Sequence, residues 1–267
     1  MNKLNGQLLS YYGFVLIKYK GILDMPGRLG ETVYDWGNYS EPLVHQYEIF
    51  WKGRDIRMDV LFDQRRTSKT LSQTLTELEG LNEFLLESDY GNYIVKLKEA
   101  ENILSSYFVT KLTVVLQEKI PVFNAVPKTA IGGTGIVIDG FDLWKDFGIK
   151  VSKISSWDYL PGLKGVNTTI FNTSKKISNH RDLKILEFEC SMPFKSISQM
   201  NETIERLKKL LSQDGFRVLN LKSQYYNAFF TKGFAVSIFK NHVKFNLQFN
   251  LIQSFVDNDF IDFGFVN

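Results

Sequence analysis

His242-Val-Lys-Phe-Asn-Leu-Gln-Phe-Asn-Leu251 alternates polar and apolar residues without a fault. A period of two places Val243, Phe245, Leu247, Phe249 and Leu251 on one face of a β-strand, so one face is buried and the other is wet. The run has a counterpart earlier in the chain. Residues 108–116 read Phe-Val-Thr-Lys-Leu-Thr-Val-Val-Leu, and Leu112, Val114 and Leu116 match Leu247, Phe249 and Leu251 at one spacing (247 − 112 = 135).

The same spacing returns near the start of each half. Tyr12-Gly13 and Pro26-Gly27-Arg28-Leu29-Gly30 are matched by Phe147-Gly148 and Pro161-Gly162-Leu163-Lys164-Gly165 (161 − 26 = 135). Proline presets φ and glycine accepts positive φ, so Pro26, Gly27, Gly30, Pro161, Gly162 and Gly165 are read as structural turns, with type II geometry expected at both Pro-Gly pairs. Asn5-Gly6 and Asp139-Gly140 are matching turn dipeptides, one residue out of register. Between these anchors the spacing drifts, as loops that tolerate insertions allow. Arg54-Asp-Ile-Arg57 resembles Arg181-Asp-Leu-Lys184, and each leads into a β-type run and then an amphipathic helix. The first helix, over 68–86, aligns Leu71, Leu75, Leu78 and Leu85. The second aligns Ile197, Met200, Ile204, Leu207 and Leu211, and Ser196 with Gln199 fits a capping box at its start.

This order of elements describes an α+β, mostly β chain: two tandem β-sandwich or barrel domains, each with one covering helix. The boundaries expected are 1–125 for the first domain, 126–135 for a glycine-rich linker and 136–267 for the second. With 267 residues, 44% hydrophobic, either half can bury a core, and 22 Phe with 12 Tyr exclude a disordered chain. A net charge of +3 gives no support to nucleic-acid binding. The single cysteine, Cys190, excludes an internal disulfide. No stretch nears the ~18 uninterrupted apolar residues of a membrane span, and no signal pattern opens the chain, so folding in a reducing cytoplasm is expected.

Sites of chemistry are not legible. Gly132-Gly133-Thr134-Gly135 lacks the Gly-Lys-Ser/Thr ending of a phosphate loop and reads as flexible linker. His45, His180 and His242 have no partner at metal-ligand spacing. Cys190 reads as a strand-end residue, and Lys208-Lys209 as a solvated helix face. Arg65-Arg66 and Lys175-Lys176 fall in expected loops. Asp257, Asp259 and Asp262 sit among phenylalanines near the end of the sequence and read as a docking segment or a last edge strand. No catalytic, cofactor or metal residue is assigned.

One stretch carries a family resemblance. Ile22-Leu-Asp-Met-Pro-Gly-Arg-Leu-Gly-Glu-Thr-Val-Tyr-Asp-Trp36, with the strand before it and the helix after it, is similar to the ring-forming domain of phage distal tail proteins. Residues 136–252 resemble the same plan more loosely, with Leu163 in place of the arginine. The resemblance implies tail-tube-like domains and a non-enzymatic virion protein made in the host cytoplasm. It implies a ring that joins the tail tube protein to hub or receptor-binding proteins while DNA passes through without specific binding. Six chains per ring are favoured over three, because only the first copy keeps the family-like turn. The alternative is a β-sandwich module that binds carbohydrate or protein without ring assembly.

Overall fold

In the computed structural model, Asn5 and Gly6 take φ of 48° and 76°, and Asp139 and Gly140 take 49° and 86°. Two successive residues at positive φ make the two-residue hairpin whose twist matches the flanking strands. Each pair joins two short strands that open one half of the chain: β1 (Lys3–Leu4) with β2 (Gln7–Leu8), and β10 (Ile136–Ile138) with β11 (Phe141–Asp142). The structure describes residues 2–30, 33–35, 40–42, 50–125, 129–155, 163–170, 173–181, 183–221 and 224–252.

The first half continues through β3 (Phe14–Lys20), β4 (Val33–Asp35), β5 (Ser40–Pro42), β6 (Arg54–Asp63), α1 (Leu71–Gly80), β7 (Phe84–Ser88), β8 (Gly91–Ser105) and β9 (Val109–Glu118). The second half has α2 (Leu143–Phe147), β12 (Lys150–Ser155), β13 (Leu163–Ile170), β14 (Thr173–Arg181), β15 (Ile185–Pro193) and α3 (Ile197–Leu211). It closes with β16 (Arg217–Leu221), β17 (Gln224–Phe230), β18 (Ser237–Ile238) and β19 (His242–Leu251). The sheets are antiparallel, in the orders β2-β1-β7-β8-β9-β6-β3 and β11-β10-β16-β17-β19-β15-β12, with β18 paired to β19. Replacing each strand of the first order by its counterpart in chain sequence gives the second. β4-β5 and β13-β14 are separate hairpins inserted at equivalent points.

The anchors read from the sequence do recognisable work. Gly13 and Gly148 end short helical turns at φ of 75° and 65°, and each follows a buried aromatic, Tyr12 or Phe147. One residue is bulged out of the β3–β6 ladder between Leu16 and Lys18, and one out of the β12–β15 ladder between Val151 and Lys153. Both bulges sit on edge strands, where a bulge with flanking lysines discourages stray pairing. Leu112, Val114 and Leu116 of β9 and Leu247, Phe249 and Leu251 of β19 are buried, and they form one hydrophobic core that runs through both halves.

Other expectations are corrected. The first helix stops at Gly80, with Asn82 at φ 54°, so Leu85 is not on its face but half-exposed in β7. Thr70 and Gln73 form a full capping box there. At α3, Ser196 caps Gln199 as expected, but the Gln199 side chain accepts from Lys195 N–H instead of closing the box. Ile197 lies in the first turn and is exposed, whereas Met200, Ile204, Leu207 and Leu211 are buried. Lys175 and Lys176 lie in β14, and Cys190 lies inside β15 opposite Phe245. The Gly132–Gly135 stretch does not hang free: Gly135 N–H donates to Asp142 and Ile131 N–H to Asp146. A Cβ on Gly133 would overlap the Asp142 carboxylate, so these glycines permit close approach to the cap of α2.

Candidate functional site

The turn segment after β3 forms the seam between the two sheets. Met25 and Phe234 exchange both backbone hydrogen bonds at 2.9 Å, and Arg28 N–H donates to Thr231 O at 2.7 Å. Gly27 is not at positive φ, so the expected type II turn is absent there. Its hydrogen instead faces Lys232 O, 3.0 Å from where a Cβ would stand. Gly233, at φ 71°, is tighter still: a Cβ would overlap Met25 O and sit 2.5 Å from the Pro26 carbonyl carbon. Glycine is used on both sides of the seam because two backbones touch, and on one side also because φ is positive.

Arg28 fastens this contact. Its guanidinium lies between the rings of Trp51, at 4.8 Å, and Phe229, at 4.5 Å. Nε donates to Phe230 O at 2.7 Å and Nη2 to Gln213 O at 3.1 Å. Burial lowers its pKa to about 10, and the nearby Arg217 adds to the shift. A planar cation sandwiched by aromatics and bonded to two carbonyls fixes position and angle together. Asp24 extends the seam by accepting from Val236 N–H at 2.7 Å, and burial raises its pKa.

A second charged group sits behind it. Arg54 donates from Nε to Glu118 at 2.9 Å and from Nη1 to Ile22 O and Asp24 O, with Tyr93 at 4.8 Å beneath its guanidinium. From the other half, α3 sends in Lys208, which is fully buried and donates to Glu205 at 2.8 Å. This corrects the solvated-face reading of Lys208: it stands four residues after Ile204 and one after Leu207, on the buried stripe. Burial lowers the Lys208 pKa to about 8, against the opposing pull of Glu205, and Arg54 lowers it further. Asn201 of α3 also donates to Asp89 O at 2.9 Å.

Beside the seam lies an open cleft of about 910 Å³, lined by residues of both halves. Its charged and amide side chains are largely matched among themselves: Lys98 with Asp55, Asn246 with Glu187 and Lys232 with Gln248. Cys190 is buried and its thiol is pushed up to about 12 by desolvation, which makes it a poor nucleophile. His242 stacks on Phe239 at 4.7 Å. Among the described residues no group of three His, Cys, Asp or Glu side chains could hold a metal, and no helix is long and apolar enough to cross a membrane.

Of the six turn residues, Pro26 and Gly27 lie in the seam, and Gly30 takes φ 90° in open space just past it. Gly165 is in strand β13 opposite Asn179, not in a turn, one residue before the register shift that follows Val166. Pro161 and Gly162, His45, and Asp257, Asp259 and Asp262 lie outside the described residues, as does the side chain of His180. Sequence reading missed Gly233, Lys208 and the Arg54–Glu118 pair. The helical wheel of α3 carried the signal for Lys208; nothing local marked the other two.

No family model matches the sequence, and no curated protein matches it. Among solved structures the chain is similar to the crystal structure of the Dit protein of SPP1, described as a paradigm of hub adsorption apparatus in phages that infect Gram-positive hosts. Identity is 10%, 93% of this chain and 98% of that chain are covered, and the TM-score is 0.33. A superposition this loose fixes neither fold nor role, and the reading of the chain rests on its own residues.

Proposed function

We propose that this chain is a structural protein of a phage tail, without catalytic activity, that assembles with copies of itself into a ring. The observation that carries the proposal is one strand order used twice in a chain whose Ile22–Trp36 stretch resembles the distal tail proteins. In this reading residues 1–125 and 136–267 are duplicated tail-tube-like domains joined through 126–135. Arg28, the arginine of the family-like turn, serves the contact between them. A chain whose halves are tied through buried charges and paired backbones behaves as one rigid wedge. Rigid wedges close head to tail into a ring, whereas flexible ones scatter over many angles. The ring joins the tail tube to the hub or receptor-binding proteins, with DNA passing through the lumen, and the second half forms an outer layer or a second tier. Six chains are favoured over three, since only the first half keeps the turn.

Native mass spectrometry of the purified chain and electron microscopy of assembled tails test the proposal. The expected result is a closed oligomer of six, placed at the distal end of the tube. A chain that stays monomeric at every concentration and never enters a particle refutes it.

A further inference from the structure

Asn5-Gly6 and Asp139-Gly140 are the same turn twice, but their side chains are held differently. Asn5 N–H donates to Leu85 O at 2.7 Å and Asp139 N–H to Val218 O at 2.9 Å, so Leu85 and Val218 are counterparts. In the second half both oxygens of the Asp139 carboxylate are engaged: Oδ1 accepts from Val218 N–H at 2.7 Å and Oδ2 from Arg217 Nη1 at 2.8 Å. The first half has Phe84 where the second has Arg217. Among the described residues the Asn5 carboxamide has no hydrogen-bond partner, and Asn5 and Gly6 are both exposed. Nothing lies within 4 Å of where a Gly6 Cβ would stand.

The hairpin around Asn5 is also lightly held. Its strands pair only as Lys3↔Leu8 and Leu4↔Gln7, and beyond them Leu9 N–H reaches Asn2 O at 3.4 Å. β2 is the outermost strand of its sheet, and Gln7 and Leu8 are exposed. An edge so short opens readily. The β10–β11 turn is tied down by Asp139, and by the Ile131 and Gly135 N–H groups bonded to Asp146 and Asp142.

Opening frees the Asn5 backbone to rotate. An asparagine before glycine then has a reaction open to it, because no Cβ on the next residue blocks close approach. The Gly6 backbone nitrogen loses its proton and attacks Asn5 Cγ. A C–N bond forms, the Cγ–Nδ2 bond breaks, and ammonia leaves with the proton. Water then opens the cyclic imide: attack at Cγ gives aspartate, and attack at the α-carbonyl carbon gives isoaspartate. Either way the broken imide bond returns a proton to the Gly6 nitrogen, so the net change consumes one water and releases one ammonia. The aspartate product matches Asp139 and leaves the turn in place. The isoaspartate product routes the backbone through the side chain. That adds a methylene to a two-residue loop and puts the paired strands out of register. We infer that Asn5 is a site of spontaneous deamidation, and that its isoaspartate product releases β2 from the edge of the first sheet while the second sheet keeps β11.

The test holds the full chain at mildly alkaline pH, folded and in urea. Peptide mass spectrometry with electron-transfer fragmentation then separates isoaspartate from aspartate. Folding is expected to slow the reaction at Asn5 by less than about tenfold, and isoaspartate formation at Asp139 by more than about a hundredfold, because only the first hairpin opens without global unfolding. Hydrogen exchange on the aged chain is expected to find segment 2–9 unprotected and segment 136–142 unchanged. Asn5→Asp carries the product charge on an ordinary backbone, and freshly made it keeps segment 2–9 protected. An Asn5 that reacts only in urea, or no faster in the folded chain than the other asparagines, overturns the site. Isoaspartate at position 5 with exchange of segment 2–9 unchanged overturns the release of β2. So does lost protection in fresh Asn5→Asp, which assigns the opening to charge and not to the rerouted backbone.

Discussion

Gly233→Ala tests the seam most directly. At φ 71° a residue with a Cβ is strained by about 1–2 kcal/mol. The new methyl group also meets Met25 O and the Pro26 carbonyl, so the segments must part, at about 1–3 kcal/mol for an overpacked contact. Parting them loosens the two hydrogen bonds between Met25 and Phe234, each contributing about 1 kcal/mol. With both hydrogen bonds lost the sum is about 4–7 kcal/mol. Gly30→Ala supplies the control, because Gly30 has φ 90° but nothing within 4 Å of a Cβ. It carries the backbone strain alone, about 1–2 kcal/mol. Urea unfolding followed by tryptophan fluorescence and far-ultraviolet circular dichroism gives both values from midpoint and slope. The two signals, coincident in the parent, are expected to separate in Gly233→Ala as the halves unfold independently. If the two variants differ by less than about 1 kcal/mol, the seam does not couple the halves as argued.

Arg28→Ala is expected to cost about 2–4 kcal/mol by leaving the buried Phe230 carbonyl short of a donor, releasing the Gln213 carbonyl and emptying the slot between Trp51 and Phe229. Arg28→Lys recovers little in the same denaturation assay, since an ammonium matches neither the slot nor the two carbonyls. Lys208→Met is expected to be neutral or stabilising by about 1–3 kcal/mol near pH 7, because Glu205 reaches solvent while the ammonium does not. The folded Lys208 pKa, about 8, lies below its ordinary value of 10.5. The unfolded chain therefore binds more protons between those values, and stability rises with pH there. The parent should gain up to about 3 kcal/mol on the Met variant across pH 8–10.5, read by pH-dependent urea midpoints; a flat difference contradicts the buried ammonium. Cys190 is expected to react with a disulfide reagent at pH 8 only at the rate of unfolding, and immediate labelling of the native chain counts against its placement.

Much of the fold is local chemistry, and local chemistry is written in sequence. Asn5-Gly6 and Asp139-Gly140 announce two-residue hairpins because few residue pairs accept two positive φ angles in succession. The alternation from His242 to Leu251 announces a half-buried strand, and the 135-residue spacing aligns it with β9 in sheets of one strand order. The apolar stripe of α3 fixes which face it buries. The seam was decided elsewhere. Pro26-Gly27 looks like a turn in isolation, yet its glycine answers to Lys232, two hundred residues away, and Gly233 answers to Met25. Lys208 looks like a surface cation until α3 is pressed against the other half, where Arg54, Glu118 and Asp24 surround its field. Gly132–Gly135 looks like slack until Asp142 is placed against it. Backbone preference and periodicity act within a few residues, so sequence reports them; close approach and desolvation depend on what the finished fold brings alongside, so only the tertiary structure could assign Arg28, Gly233 and Lys208 their places.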